Sequence, residues 1–126
     1  MTYKEKQLLL KDLCARLPYG VKGLHRNEVQ RLLIIDSFGS YQVNGYDAWF
    51  NLSSVEFKPY LRPMSSMTEE EQRTLNSMCN GVEMVSRLSG LKMFDKAFDW
   101  LNEHHFDYRG LIPMGLALEA KEEMYK

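Results

Sequence analysis

A chain of 126 residues, 44% hydrophobic and 26% charged, has the composition of one ordinary globular domain, long enough to bury its own core. Sixteen Lys and Arg against seventeen Asp and Glu leave a net charge of −1, which excludes a global electrostatic drive toward nucleic acid while leaving room for a local basic patch. No run approaches the ~18 apolar residues of a membrane helix, and the N-terminal MTYKEKQLLLKDL lacks the shape of a signal peptide, so the expectation is a cytoplasmic protein that does not engage a membrane.

In chain order, residues 1–20 predict a helix running from about Thr2, its cap, to Leu17, stopped by Pro18 and Gly20. Leu10, Leu13, Cys14 and Leu17 recur at i, i+3, i+4 and i+7 and form its apolar stripe, with Lys4, Lys11 and Arg16 off it. Residues 21–62 predict a small β-barrel. The run Leu32-Leu33-Ile34-Ile35 reads as a buried strand between flanking short strands at 21–24 and 55–58. Tyr41 and Val43 alternate with Gln42 and Asn44. After the turn dipeptide Asn44-Gly45, the residues Tyr46, Ala48, Phe50 and Leu52 alternate with Asp47, Trp49 and Asn51, a second period-two strand. Five short strands in ~40 residues favour a barrel over a sandwich. Ser53-Ser54 turns the chain before the last strand, and Pro59 and Pro63 bracket its end.

Residues 63–126 predict helices. Thr68-Glu69-Glu70-Glu71 is a capping box, and Leu75, Met78, Cys79 and Val82 give the buried face behind it. Gly81 and Ser89-Gly90 place a break between about Asn80 and Gly90. The next helix, about Leu91 to His104, carries Phe94, Ala97, Phe98 and Leu101 on one stripe, and Pro113 opens a short last helix to about Ala120, before a solvated end at Glu122, Glu123 and Lys126. The eight methionines, among them Met64, Met67, Met78, Met84, Met93, Met114 and Met124, read as gap-fillers between barrel and helices or as an adaptable docking groove. Cys14 and Cys79 read as buried thiols of a reducing compartment, with no CxxC pair for zinc.

Two of the three histidines, an Asp, a Tyr and an Arg crowd into residues 104–109. On a helical wheel His105 falls in the Phe94–Phe98–Leu101 stripe and His104 beside Trp100, whereas a helical zinc pair needs i, i+3 or i, i+4 spacing. The pattern is that of a helix end and a turn in which Asp107 pairs with Arg109, Gly110 takes a positive φ and Tyr108 anchors. The competing reading is a small hydrolase or metal-dependent enzyme built on His104, His105, Asp107 and Arg109. No GxSxG, phosphate loop or Walker lysine accompanies them, and no catalytic residue, metal ligand or cofactor is assigned. Binding candidates are Trp49, Tyr46, Tyr60, Arg62, His104 and Arg109. Trp49 falls on the strand face opposite Phe50, either exposed as a recognition platform or packed beneath a helix, while Lys58, Tyr60 and Arg62 make a basic-aromatic strip.

The segments LCARLPYGVK (13–22), KPYLRPMSSMTEEE (58–71) and HFDYRGLIPMGLALEA (105–120) resemble a family of short uncharacterised proteins from gut anaerobes and their phages or mobile elements. The likeness is weak across residues 24–52 and 80–92. It implies a cytoplasmic prokaryotic or phage origin and a binding or host-modulating role, and it carries over no activity or cofactor.

The sequence therefore predicts a single α+β domain: an N-terminal helix, a small SH3-like, partly open antiparallel β-barrel, and C-terminal helices packed on it. The expected function is a non-enzymatic protein-binding or adaptor module, an accessory of a phage or mobile element whose partner is another protein. A nucleic-acid-associated module is the alternative if Lys22, Arg26, Arg31, Lys58 and Arg62 converge, and the small enzyme is the third.

Overall fold

The computed structural model describes the backbone of residues 1–79 and 87–125, and the side chains of 1–79 and 94–125. Helix α1 (Tyr3–Arg16) begins in a reciprocal capping box: the Thr2 hydroxyl accepts the Glu5 N–H at 3.1 Å, and the Glu5 carboxylate accepts the Thr2 N–H at 2.8 Å. Its buried arc is Leu9, Asp12, Leu13 and Arg16, with Leu10 beside it. This corrects the expected stripe. Cys14 is exposed, and Arg16 is fully buried. The helix docks through Leu9 and Leu13, so the residues one turn on from each are carried inside, and Asp12 matches the charge that Arg16 brings. A 3₁₀ turn at Leu17–Tyr19 and a left-handed Gly20 (φ 70°) lead into the sheet.

Six strands follow: β1 (Lys22–His25), β2 (Glu28–Ile35), β3 (Ser40–Val43), β4 (Phe50–Asn51), β5 (Phe57–Leu61) and β6 (Leu118–Glu119). They form one open mixed sheet in the order β4-β3-β2-β1-β5-β6, antiparallel throughout except for the parallel pair β5–β6. β1 and β2 are joined by Arg26-Asn27, both left-handed (φ 50° and 65°), the two-residue turn whose twist matches the strands it joins. Gly23 on β1 sits where a Cβ would strike the Phe57 ring and approach the Lys58 carbonyl to 2.8 Å, so only glycine lets β5 close on β1 here.

The apolar run in β2 is not a buried strand. The ladder slips between Leu32 and Ile34, and this bulge changes which residues face inward. Leu32 and Ile35 pack toward the core, while Leu33 and Ile34 face out beside Val29. The second period-two strand also shortens. Only Phe50–Asn51 pairs, and residues 46–49 form a loop, because the Tyr46 ring turns in against His25 and Phe50 (centroids 5.2 and 5.8 Å). His25, at the same end, is buried with Nδ1 3.0 Å from the Tyr41 hydroxyl. The core lies between α1 and the sheet, built from Leu9, Leu13, Leu32, Tyr41, Phe57 and Leu61, and closed by Leu111 and Leu116.

Helix α2 (Glu69–Cys79) starts at the expected capping box, with the Glu71 N–H on the Thr68 hydroxyl at 3.1 Å and the Thr68 N–H on Glu71 at 3.0 Å. Leu75, Met78 and Cys79 are half-buried. Helix α3 (Arg87–Glu103) contains Ser89-Gly90, so the expected interruption does not reach them; residues 80–86, with Val82 and Met84, lie outside the described residues, as do the Met93 side chain and Lys126. Of the α3 stripe, Ala97 and Leu101 are buried but Phe94 and Phe98 are exposed.

The short last helix is absent. Residues 111–115 form turns and residues 118–119 form β6. Both Asp107 carboxylate oxygens accept N–H groups, of Leu111 at 2.8 Å and Ile112 at 2.9 Å, and Gly115 takes φ 75°, which curls this segment and sends it along β5. Among the described residues no helix is long and apolar enough to cross a membrane.

Candidate functional site

The end of α3 sets the geometry of everything near it. The His105 N–H bonds the Asn102 carbonyl at 3.1 Å and the Phe106 N–H bonds the Leu101 carbonyl at 3.0 Å, the paired bonds of a Schellman motif. The left-handed residue of that motif, ordinarily glycine, is His105 (φ 60°), at a cost of about 1–2 kcal/mol for a residue with a Cβ. The two imidazoles diverge. His104 lies on Trp100, centroids 4.4 Å apart, with Nδ1 2.9 Å from the Trp100 carbonyl. His105 is 4% exposed and stacks on Tyr125, centroids 3.6 Å apart and rings inclined by 14°. Burial drives His105 down to about 4, reinforced by the positive charges of Arg16 and His104 and opposed by a hydrogen bond with the Tyr19 backbone. Its Nδ1 has no partner among the described residues.

Beneath this turn lies a buried ionic knot. Arg16 Nε donates to Asp12 at 2.8 Å, and Arg109 Nε stands 3.5 Å from the other Asp12 oxygen. Arg16 also donates to the Phe106 carbonyl. Both guanidiniums rest on the Tyr108 ring, at 5.3 and 4.8 Å, and Tyr108 is tied through its hydroxyl to Asn102 at 2.9 Å. Burial pushes the Asp12 carboxyl up, with Arg16 opposing. Arg109, expected to pair with Asp107, pairs with Asp12 instead, because the Asp107 oxygens are taken by the backbone of the next turn. Residues 104–109 thus divide among a helix cap, a stack and a buried ion cluster. Among the described residues no group of His, Cys, Asp and Glu has the geometry to hold a metal ion.

Above the knot opens a cleft of about 740 Å³. One wall is the entry to α2, where Arg62 and Glu71 form a two-bond pair, both bonds 2.7 Å, with the Arg62 guanidinium 4.2 Å from the Phe106 ring centre. The Arg62 hydrogen bonds draw Glu71 down to about 2. The opposite wall is residues 119–122 with Tyr125, and Glu103, His104 and His105 close the end. The Tyr125 hydroxyl accepts the Lys22 N–H at 3.0 Å and donates to the Tyr60 carbonyl at 2.7 Å, so it bridges β1 and β5 where their ladder ends. Burial pushes this phenol up to about 12.

A second surface is the outward face of the sheet. Val29, Leu33 and Ile34 are 47%, 42% and 46% exposed there. Ile34 pairs with Gln42 of β3, and Trp49, 54% exposed, enters β4 next to that row. Arg31 lies across from Lys22, and Leu24 lies between Val29 and Lys58.

The six binding candidates do not form one site. Trp49 is exposed in the loop that enters β4. Tyr46 turns inward with its hydroxyl 3.3 Å from Glu28, and Tyr60 is buried. Arg62 and His104 line the cleft, and Arg109 belongs to the knot. Of the basic residues, Lys22, Arg31 and Lys58 occupy neighbouring registers, but Lys22 bonds the Met124 carbonyl and Lys58 pairs with Glu56. Arg26 sits at the turn over Phe50, and Arg62 is held by Glu71. Asp12, Arg16, Glu71 and Tyr125 were not foreseen as parts of a site; the i, i+4 spacing of Asp12 and Arg16 was the one available signal. Comparison of the chain with protein-family models, with curated proteins and with solved structures found no match.

Proposed function

We propose that this chain is a cytoplasmic, non-enzymatic protein-binding module, an adaptor or host-modulating accessory of a phage or mobile element, and that its sheet is an SH3-like, partly open barrel. The observation that carries the binding reading is the exposure of Val29, Leu33 and Ile34 along β2, with Trp49 exposed at the entry to the edge strand β4. An exposed apolar row with a large aromatic at its edge is what protein partners cover. Arg31 within it favours a partner segment that alternates apolar and acidic residues. The antiparallel order β4-β3-β2-β1-β5 and the bulge that bends β2 support the barrel reading. The three segments that carry the family resemblance meet around Arg16, Arg62 and Phe106, which supports reading them as a shared architectural signature.

The test uses the whole chain as bait in extracts of an anaerobic gut bacterium, alongside Trp49→Ala/Ile34→Asp. The expected outcome is a protein retained by the wild type, lost with the double variant, and bound again as a purified component at micromolar concentration, about −8 kcal/mol. Equal retention by both baits overturns the reading. Retention of DNA or RNA that is lost with Arg31→Glu but not with Trp49→Ala replaces it with the nucleic-acid reading.

A further inference from the structure

The cleft beside the end of α3 has two properties that select a ligand. The first is charge. Arg62 and Glu71 neutralise each other, which leaves Glu103, Glu119 and Glu122 against Lys121 and His104 among the lining residues. None of these three glutamates is in an ion pair among the described residues. The second is a buried acceptor. His105 lines the cleft, is 4% exposed, and its Nδ1 is without a partner among the described residues. The ring keeps its other contact with the Tyr19 backbone and is neutral at pH 7, so Nδ1 presents a lone pair. A buried lone pair calls for an N–H or O–H donor. A carboxylate offers none, and a carboxylate or a phosphate meets the glutamates with like charge.

We infer that this cleft binds the guanidinium of an arginine presented by another polypeptide. A guanidinium is flat, weakly hydrated and carries donors on three sides, so one group can reach the His105 lone pair and a rim carboxylate together. An ammonium is more costly to strip of water. His104 and Tyr125 line the cleft, each with one ring face stacked, on Trp100 and on His105. The side chain at position 105 also needs a reason. Glycine there would close the same Schellman motif without strain, whereas His105 holds φ 60° with a Cβ. A role for the imidazole in the cleft accounts for that choice. The inference is independent of the sheet face, which lies on other strands.

The test is a titration of the full chain with N-acetyl-arginine methylamide, followed by NMR of the His and Tyr ring signals. Saturable shifts of His105 and Tyr125 in the millimolar range are expected, about −4 kcal/mol. The neutral isostere N-acetyl-citrulline methylamide is expected to bind about tenfold or more weakly, and Glu119→Gln/Glu122→Gln to weaken the arginine probe about fivefold. Both glutamates are surface residues, so this variant keeps the fold. Absence of saturation to about 50 mM, equal binding of the citrulline probe, or no effect of the double glutamine variant overturns the inference. Equal binding of N-acetyl-lysine methylamide overturns the choice of guanidinium.

Discussion

Asp12 and Arg16 share one helical turn, both at full burial, so neither charge can turn to water when the pair is broken. Arg16→Met leaves the buried Asp12 with only its longer contact to Arg109, so it is expected to destabilise by about 3–5 kcal/mol, while Asp12→Leu/Arg16→Met, which leaves no carboxylate in the core, recovers most of it. Urea unfolding of the two variants checks this; a double variant as weak as the single one would show that the pair itself is the source of stability. The burial of Arg16 was hidden in the sequence for a physical reason. Its acceptor is the Phe106 carbonyl, 90 residues away, and local periodicity carries no information about such a partner. Thr2 and Thr68 were readable for the converse reason: each cap acts within three residues of itself. His105 lies between these cases. Its place at the helix end follows from spacing, but its left-handed backbone departs from the glycine that the position normally takes.

At the level of elements, the sheet is held to its shape by the close approach of β1 and β5. Gly23→Ala drives a Cβ toward the Phe57 ring and the Lys58 carbonyl, and overpacking of this kind costs about 1–3 kcal/mol. The loss is expected as a lower midpoint in thermal unfolding, with Phe57→Leu in the same chain restoring part of it by shortening the ring; a neutral Gly23→Ala would mean the strands can part freely. Strand positions in β1, β3 and β5 were legible from their composition and turn residues. The bulge in β2 was not, since Leu32-Leu33-Ile34-Ile35 reads the same whether or not the ladder slips by a residue. The last segment misled for a related reason. Pro113 suits a first helical turn, but Asp107 caps the 111–115 turn and sends the chain to pair with β5.

For the whole molecule, His105 and Glu71 make stability depend on pH in separate windows, and His25, which burial also lowers, adds to the upper one. His105 takes up its proton near 6.5 in the unfolded chain and at about 4 when folded, because it is buried under Tyr125 and faces Arg16, His104 and Arg62. The unfolded state therefore gains the proton first, and stability is lost as pH falls from 6.5 toward 4. Glu71, held at about 2 by Arg62 against 4.5 unfolded, adds stability that is present above 4.5 and lost as pH falls toward 2. Melting temperatures measured across both windows are expected to decline in two stages, with His105→Gln flattening the upper one and Glu71→Gln the lower. A wild-type profile flat between 6.5 and 4 would place His105 in contact with water. The α+β class and the order of the major elements were legible from period and caps, whereas the parallel β5–β6 pair and the cleft it frames needed contacts that no local pattern encodes.

The Tyr125 hydroxyl joins the first strand to the fifth from a position 103 residues beyond Lys22. During synthesis the β1–β2 hairpin emerges early and can form at once, but the seam between β1 and β5 has no hydroxyl to bridge it until residue 125 has left the ribosome. At about 5–20 residues per second the nascent chain spends several seconds with that edge unsealed. A truncated product ending before Tyr125 would keep the β1–β5 ladder but leave the Lys22 N–H and the Tyr60 carbonyl at its end without their bridge.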